Sequence, residues 1–383
     1  MTSSPTSPSE GLIFLTLFGS RAYGTETPTS DWDVRGIGIA PLSTYFGTQE
    51  WTQTHKSSAA IKSIVFGRHP EAEEAGDLDC EIQNLTKFVR LASDANPNIF
   101  DVLFSHPDDW VYHHPIWMML YEKRHMFLTM KVRHTYTGYA MSQLKRIKTH
   151  RNWLLHPPAQ KPTRTEFGLP QERSLVPRDI QDLANSMIVK KQQEWQLDTW
   201  MELLPEDERE DFRDALLQHF EMVHGRPYDP NKNYEREQAS VQLGMPSDLY
   251  KRLEAERNYK QAAHQWKQYQ TWLQNRNPSR AALEQEYGYD CKHAMHLVRL
   301  LLSVEEILIE GELSVRHPHA PLLRQVREGA WSYDKLMEWA TDQENKIKDL
   351  SESKPLPRSP DRKAIDELIT EMILSYHQLQ SSI

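Results

Sequence analysis

The chain has 383 residues, a formal net charge of −9, 38% hydrophobic and 26% charged content, and two cysteines, Cys80 and Cys291. This is the composition of a globular protein long enough for two or three domains. It excludes a disulfide framework and an overall basic nucleic-acid coat. No apolar run approaches the roughly 20 residues that a membrane span requires.

Met1 to Glu10 is polar and rich in Ser, Thr and Pro. It lacks the basic and apolar regions of a signal peptide and reads as a disordered tail. With so few cysteines, the expected location is cytoplasmic. Leu12 to Phe18 is an apolar run bounded by Gly19 and predicts a buried strand. Gly19 to Ser30 is turn-rich. Asp31 to Ile39 then predicts a second strand, paired with the first like a hairpin. A third strand candidate, Leu78 to Leu85, leads into a helix over Thr86 to Ser93. Asn96-Pro97-Asn98 breaks and restarts the chain before another short apolar run, Ile99 to Phe104.

From about residue 115 helical periodicity takes over. Candidate helices are Val132 to Arg151, Pro177 to Leu203, Glu206 to Val223, Asp248 to Asn275, Ser279 to Tyr287, Asp290 to Glu310, Ser332 to Leu350 and Asp361 to Gln380. Pro-rich connections lie at His156 to Pro170 and Lys354 to Pro360. The predicted fold class is α+β: a small sheet domain over residues 11–125 and a large, mostly helical region over 126–383. Residues 180–275 read as an insertion, a lid or a partner surface.

Chemistry concentrates in Gly19-Ser20-Arg21-Ala22-Tyr23-Gly24-Thr25 and Ser30-Asp31-Trp32-Asp33-Val34-Arg35-Gly36. On a strand, residues two apart point to one face, so Asp31 and Asp33 form a carboxylate pair. Such a pair binds a hard cation that keeps water and phosphate oxygens in its shell. Two ions about 3.5–4 Å apart clamp an in-line phosphoryl displacement, which requires a further carboxylate from elsewhere. Gly19 allows backbone amides to approach a phosphate, and Ser20 adds a hydroxyl. An Asp-x-Asp pair alone is commonly a solvated turn. Its combination with a strand and Gly-Ser ten residues earlier is far more specific. Asp79 and Glu81 would share a strand face, so position alone does not choose between them as the third carboxylate.

These motifs resemble the polymerase-beta-type nucleotidyltransferase superfamily, and more closely its branch linked with RNA repair and RNA ligase. That branch shows Gly-Ser-x-x-Tyr-Gly-Thr and Ser-Asp-x-Asp-x-Arg-Gly. Further landmarks are Asn96-Pro97-Asn98, Gly138-Tyr139-Ala140 with Gln143-Leu144, Tyr289-Asp290-x-Lys292-His293-Ala294-x-His296-Leu297-x-Arg299-Leu300, and Gly329-x-Trp331-Ser332. The resemblance covers most of the chain outside residues 180–275. It implies a polymerase-beta-type sheet domain and transfer of a nucleoside monophosphate from a nucleoside triphosphate such as ATP to a hydroxyl, with Mg2+ or Mn2+ as cofactor. Gly19, Ser20 and Arg21 would contact the triphosphate, and Asp31 and Asp33 would bind metal. Asp79 is favoured over Glu81 as the third carboxylate, from its spacing to Leu85, Lys87 and Phe88. An RNA ligase or repair partner is implied, and no membrane.

Residues 131–165 contain no Asp or Glu, but carry Lys131, Arg133, Lys145, Arg146, Lys148, Arg151, Lys161 and Arg164, with Tyr136, Tyr139 and Trp153 interleaved. This predicts a nucleic-acid or triphosphate groove, with Lys145, Arg146 and Arg151 as nucleic-acid contacts. A solvated basic face is the competing reading. Lys292, His296 and Arg299 fall on one helical face and could hold a triphosphate. Cys291, His293 and His296 do not share a face, and no zinc site follows from them.

RNA is the expected acceptor, in repair or end modification. A protein nucleotidyltransferase attaching AMP or UMP is the alternative. Another class remains: a HEPN-like ribonuclease using Arg151 and His156, or a non-catalytic RNA-binding module. Pro157-Pro158 argue against a helix continuing through that pair.

Overall fold

Seven consecutive residues, Leu12–Phe18, form β1, and six of them are buried. A strand apolar at all but Thr16, whose hydroxyl donates to Asp109 O, suits the interior of a sheet covered on both faces. The structure, a computed structural model, describes residues 11–28, 30–48, 50–54, 58–75, 78–174, 176–195, 233–276, 278–350 and 356–381. The expected helix Glu206 to Val223, and the end of Pro177 to Leu203, lie outside them.

β2 is Trp32–Gly38, β3 Gln53–Thr54, β4 Leu78–Asn84 and β5 Trp110–His113. They form one mixed sheet in the order β3-β4-β2-β1-β5. β1 pairs antiparallel with β2 and β5, and β2 pairs parallel with β4. The expected antiparallel pairing of the first two strands is present, and the fold is α+β.

The sequence reading missed the short strands β3 and β5, and also the helices Leu42–Phe46, Ala59–Arg68 and Glu71–Ala75. β3 and β5 have two and four residues, too few for a period to show. The run Ile99 to Phe104 lies mostly in a helix, Pro97–Leu103. Asn96 caps it by accepting from Asn98 N–H, and Pro97 presets its first turn.

One sheet face packs Leu15, Leu17, Val34, Cys80 and Ile82 against Ile61 and Val65. Beyond the other face lies the main core. There Phe14 stacks on Trp117 at 3.9 Å, and the long helix Lys131–Leu155 packs its Val132, Tyr136, Ala140 and Ile147 side with the helix Cys291–Glu310. Residues carrying chemistry are those that alternate onto this second face of β2 and β4.

Contacts divide the chain into two compact units, Met1–His156 with Asn277–Ile383, and Pro157–Arg276. The second unit contains the helices Arg178–Glu194, Tyr234–Gln242 and Ser247–Gln274 around Val176, Ala184 and Leu253. Its apolar core is small, and buried charge pairs link its elements. Arg164 pairs with Glu256 in a two-pronged contact at 2.5 and 3.1 Å, and Arg236 with Glu254 at 3.0 Å.

Candidate active site

The turn after β1 is shaped for close approach. Gly19 has φ +67°, and a Cβ there would lie 2.6 Å from Asp33 Oδ2. Only glycine fits beside that carboxylate. Ser20–Tyr23 makes a single helical turn closed by Gly24 at φ +70°. Thr25 N–H returns to Ser20 O at 2.8 Å, and Arg327 holds Thr25 O at 2.6 Å. The Tyr23 hydroxyl donates to Asp101 at 2.7 Å.

Register sets the carboxylates. Phe18 is opposite Asp33 across β1 and β2, and Asp33 is opposite Asp79 across β2 and β4. Asp31 precedes β2, is exposed, and lines the same cleft as Asp33. Its turn is built by Arg21, which donates to Ser30 O and Asp31 O and lies 3.7 Å over the Trp32 ring. The structure therefore places Arg21 on the Ser30–Trp32 backbone, outside the cleft lining.

Arg35 shares the Asp33 face. It reaches Asp79 Oδ2 at 3.0 Å, while its Nε is 3.9 Å from Glu81 Oε2. Glu81 sits opposite Arg35 and also accepts from Gln83 at 2.8 Å. Burial pushes the Asp33 carboxyl above the usual carboxylate range, Arg35 pulls it back, Asp79 and Asp31 push it further up, and Lys292 pulls it down. Register sets Asp79 directly opposite Asp33 and Glu81 opposite Arg35, so of the two candidates Asp79 is the nearer neighbour of Asp33.

A carboxylate raised by its burial and by two neighbouring carboxylates belongs to a donor set that suits a hard divalent cation. The Gly19 turn, where a Cβ would collide with Asp33, leaves room beside it. The residues fit the metal that the motif implies.

The cleft has a volume of about 800 Å3. Gly19, Ser20, Asp31 and Asp33 form one wall. Tyr139, Ser142, Gln143 and Arg146 form another, spaced three and four apart on one face of Lys131–Leu155. Lys292, His293, His296 and Arg299 of Cys291–Glu310 complete it.

These four differ electrostatically. Arg299 is 4% exposed, donates to Asp101 at 3.0 Å and lies 4.0 Å over the Tyr23 ring. Burial and the nearby positive charges of Arg299 and Lys292 hold the His296 imidazole well below its usual range, so it is neutral at physiological pH. Lys292 is the member of the expected triphosphate face whose charge acts directly on Asp33.

The expected basic contacts also separate. Arg146 is exposed and lines the cleft, and Lys145 is exposed beside it. Arg151 donates to Gly288 O at 2.8 Å and lies 4.2 Å over Tyr333, outside the lining. Sequence reading assigned no site role to Asp101, to Gln143, which stood only among the family landmarks, or to His150 in the basic stretch. An acid inside the apolar run Ile99 to Phe104 was the available signal for Asp101.

Residues 4–156 match the family described as the RNA repair pathway DNA polymerase beta family. That segment is similar to the polymerase-beta nucleotidyltransferase type. An uncharacterized 38.9 kDa protein of Enterobacteria phage T4 is 27% identical over 130 residues, 33% of this chain and 35% of the phage protein. The chain therefore matches about a third of that relative's length. No solved structure matches the chain. The RNA-repair polymerase-beta segment carries Gly19, Ser20 and the three carboxylates. The wall of Lys292, His296 and Arg299 is supplied by the chain beyond it.

Proposed function

We propose that the protein transfers a nucleoside monophosphate from a nucleoside triphosphate to a hydroxyl of RNA, as a step of RNA end modification or repair. The observation that carries this reading is the Asp33–Asp79 pair across β2 and β4, with the Gly19 turn after β1 set against Asp33 and with Asp31 in the same cleft as Asp33. The RNA-repair family of residues 4–156 supports it.

In this reading Gly19 and Ser20 position the triphosphate, and Lys292 balances its charge from the opposite wall. Asp31, Asp33 and Asp79 would hold Mg2+ or Mn2+. Such an ion supplies charge neutralisation for phosphoryl transfer. Asp79, outside the cleft lining but opposite Asp33 in the ladder, would accept the proton of the attacking hydroxyl. Arg35 orients Asp79 through its 3.0 Å contact. Transfer chemistry of this kind depends on positioning and electrostatics, which a row of fixed side chains on a sheet provides.

RNA is favoured over a protein acceptor because Tyr139 and Arg146 line the cleft about two helical turns apart. An aromatic ring and a cation along one wall suit a base and a phosphate. A ribonuclease reading has less support: Arg151 is engaged by Gly288 and Tyr333, and the helix ends at Leu155 before His156.

The test is a transfer assay with magnesium, each radiolabelled ribonucleoside triphosphate in turn, and RNA with a 3′-hydroxyl, total tRNA or cell protein as acceptor. Label on RNA that disappears in Asp33→Ala supports the reading. Label on protein moves it to the protein alternative. No nucleotide binding at all overturns it.

A further inference from the structure

A second set of ligand-type side chains meets where the two long helices come together. His150 is near the end of Lys131–Leu155, while Asp290 and His293 are at the start of Cys291–Glu310. Asp290 Oδ2 is 3.6 Å from His150 Nδ1 and 3.5 Å from His293 Nε2. The three ligand atoms all lie within 4.8 Å of one another.

Their orientation is set by neighbours. Asp290 caps its helix, and its Oδ1 accepts from His293 N–H at 3.0 Å. That turns Oδ2 toward the imidazoles. His293 Nδ1 is 2.8 Å from Gln143 Oε1. An amide oxygen only accepts, so Nδ1 carries the proton, and the Nε2 lone pair and Asp290 Oδ2 are two acceptors that an ion between them would satisfy. A metal-binding histidine is oriented in this way, by donating its far N–H to a carbonyl oxygen.

The spacing fits a small tetrahedral ion. Bonds of about 2.0–2.1 Å place neighbouring ligand atoms roughly 3.3 Å apart. The observed 3.5 and 3.6 Å are close to that. Two imidazoles and one carboxylate suit zinc-class ions better than magnesium. Asp290 and His293 also line the cleft.

We propose that His150, Asp290 and His293 form a second metal site, for a divalent transition-metal ion of the zinc class, with its fourth position open to the cleft. That position takes water or a phosphate oxygen of the cleft's occupant. Arg146 and Lys292 also act on His293, so the ion adds to a positive wall suited to an anionic occupant. The site is independent of the carboxylate reading, because no residue is shared.

The test uses metal-free full-length protein titrated with Co2+ alone and read by its four-coordinate absorption. The wild type and Asp33→Asn are each expected to bind one equivalent with that signature. His150→Ala and His293→Ala are expected to lose it, and Gln143→Leu to bind about 10–100-fold more weakly. Zn2+ should displace the Co2+. Melting by circular dichroism without metal checks the fold, with His150→Asn and His293→Gln used where an alanine variant does not fold.

Absence of the signature in folded wild type overturns the site and leaves a plain carboxylate–imidazole hydrogen-bond cluster. Equal binding in the histidine variants overturns it too, as does loss confined to Asp33→Asn, which would put the ion on the carboxylates. Nucleotidyl transfer is not the readout, so failure of that reaction is a separate result.

Discussion

Asp33 and Asp79 are direct partners in the parallel ladder of β2 and β4, on the sheet face that also carries Arg35 and Glu81. Residues 46 positions apart are thereby made neighbours by register alone, and Glu81 falls two residues further along, opposite Arg35. Asp79→Asn is expected to lower kcat by about 10²–10⁴-fold, the usual worth of a positioned general base. Glu81→Gln should retain most of the activity. Single-turnover transfer rates for the two variants check the assignment, and the reverse ranking would hand the role to Glu81.

Gly19 tests the turn. Alanine there meets both a left-handed backbone and the Asp33 carboxylate at 2.6 Å. The expected cost is about 1–3 kcal/mol of stability, from backbone strain. Urea denaturation measures this. Transfer should fall further than the stability loss explains, because Asp33 itself must move. A fully active, equally stable Gly19→Ala protein would remove the close-approach argument.

The raised carboxyl of Asp33 makes a pH prediction in the presence of chelator. A group whose folded pKa lies above its unfolded value favours the fold when protonated. Its contribution is complete below the ordinary carboxylate value and is lost as pH rises through the folded one. Asp33→Asn, which cannot ionise, should therefore melt higher than wild type at neutral pH. The gap should close below the ordinary carboxylate pKa. Added Mg2+ should reverse the neutral-pH order, stabilising wild type by about 2.7 kcal/mol at a hundred times its Kd. Thermal melts with and without metal read both effects.

Arg299 and Asp101 form a buried pair, 4% and 1% exposed. Removing one partner leaves an uncompensated charge in the core. Arg299→Met or Asp101→Leu alone should each cost about 3–5 kcal/mol, and the double variant less than their sum. A denaturant double-mutant cycle decides. Additive losses would mean that the pair does not act as a unit.

The basic helix splits into two kinds of cation. Arg146→Ala should weaken RNA binding and reduce its salt slope by about one. Arg151→Ala removes the links to Gly288 and Tyr333, so it should lower stability and leave the salt slope unchanged. Fluorescence anisotropy titrations at several salt concentrations distinguish them. Identical slopes for both variants would dissolve the distinction.

Local signals were enough for much of this. The apolar run Leu12 to Phe18, the glycine that ends it and the alternation of β2 specify where the Gly19 turn and the Asp31–Asp33 pair stand. Asp290 was legible as a helix start, and its side chain does cap the helix Cys291–Glu310. Periodicity also marked the long helices, because each has one face that must be buried. The short strands β3 and β5 carried no such pattern.

By itself the sequence determined the α+β order, the nucleotidyltransferase-type motif and two of its carboxylates, since these depend on neighbours a few residues apart. The tertiary structure decided what required distant segments to meet. It put Asp79 rather than Glu81 beside Asp33, paired Arg299 with Asp101, moved Arg21 and Arg151 onto backbone carbonyls, and brought His150 to Asp290 and His293. Charge and spacing along a chain give the candidates for a site. Which candidate keeps its charge for a ligand depends on the partner it meets when buried, and that partner is set by strand register and helix packing.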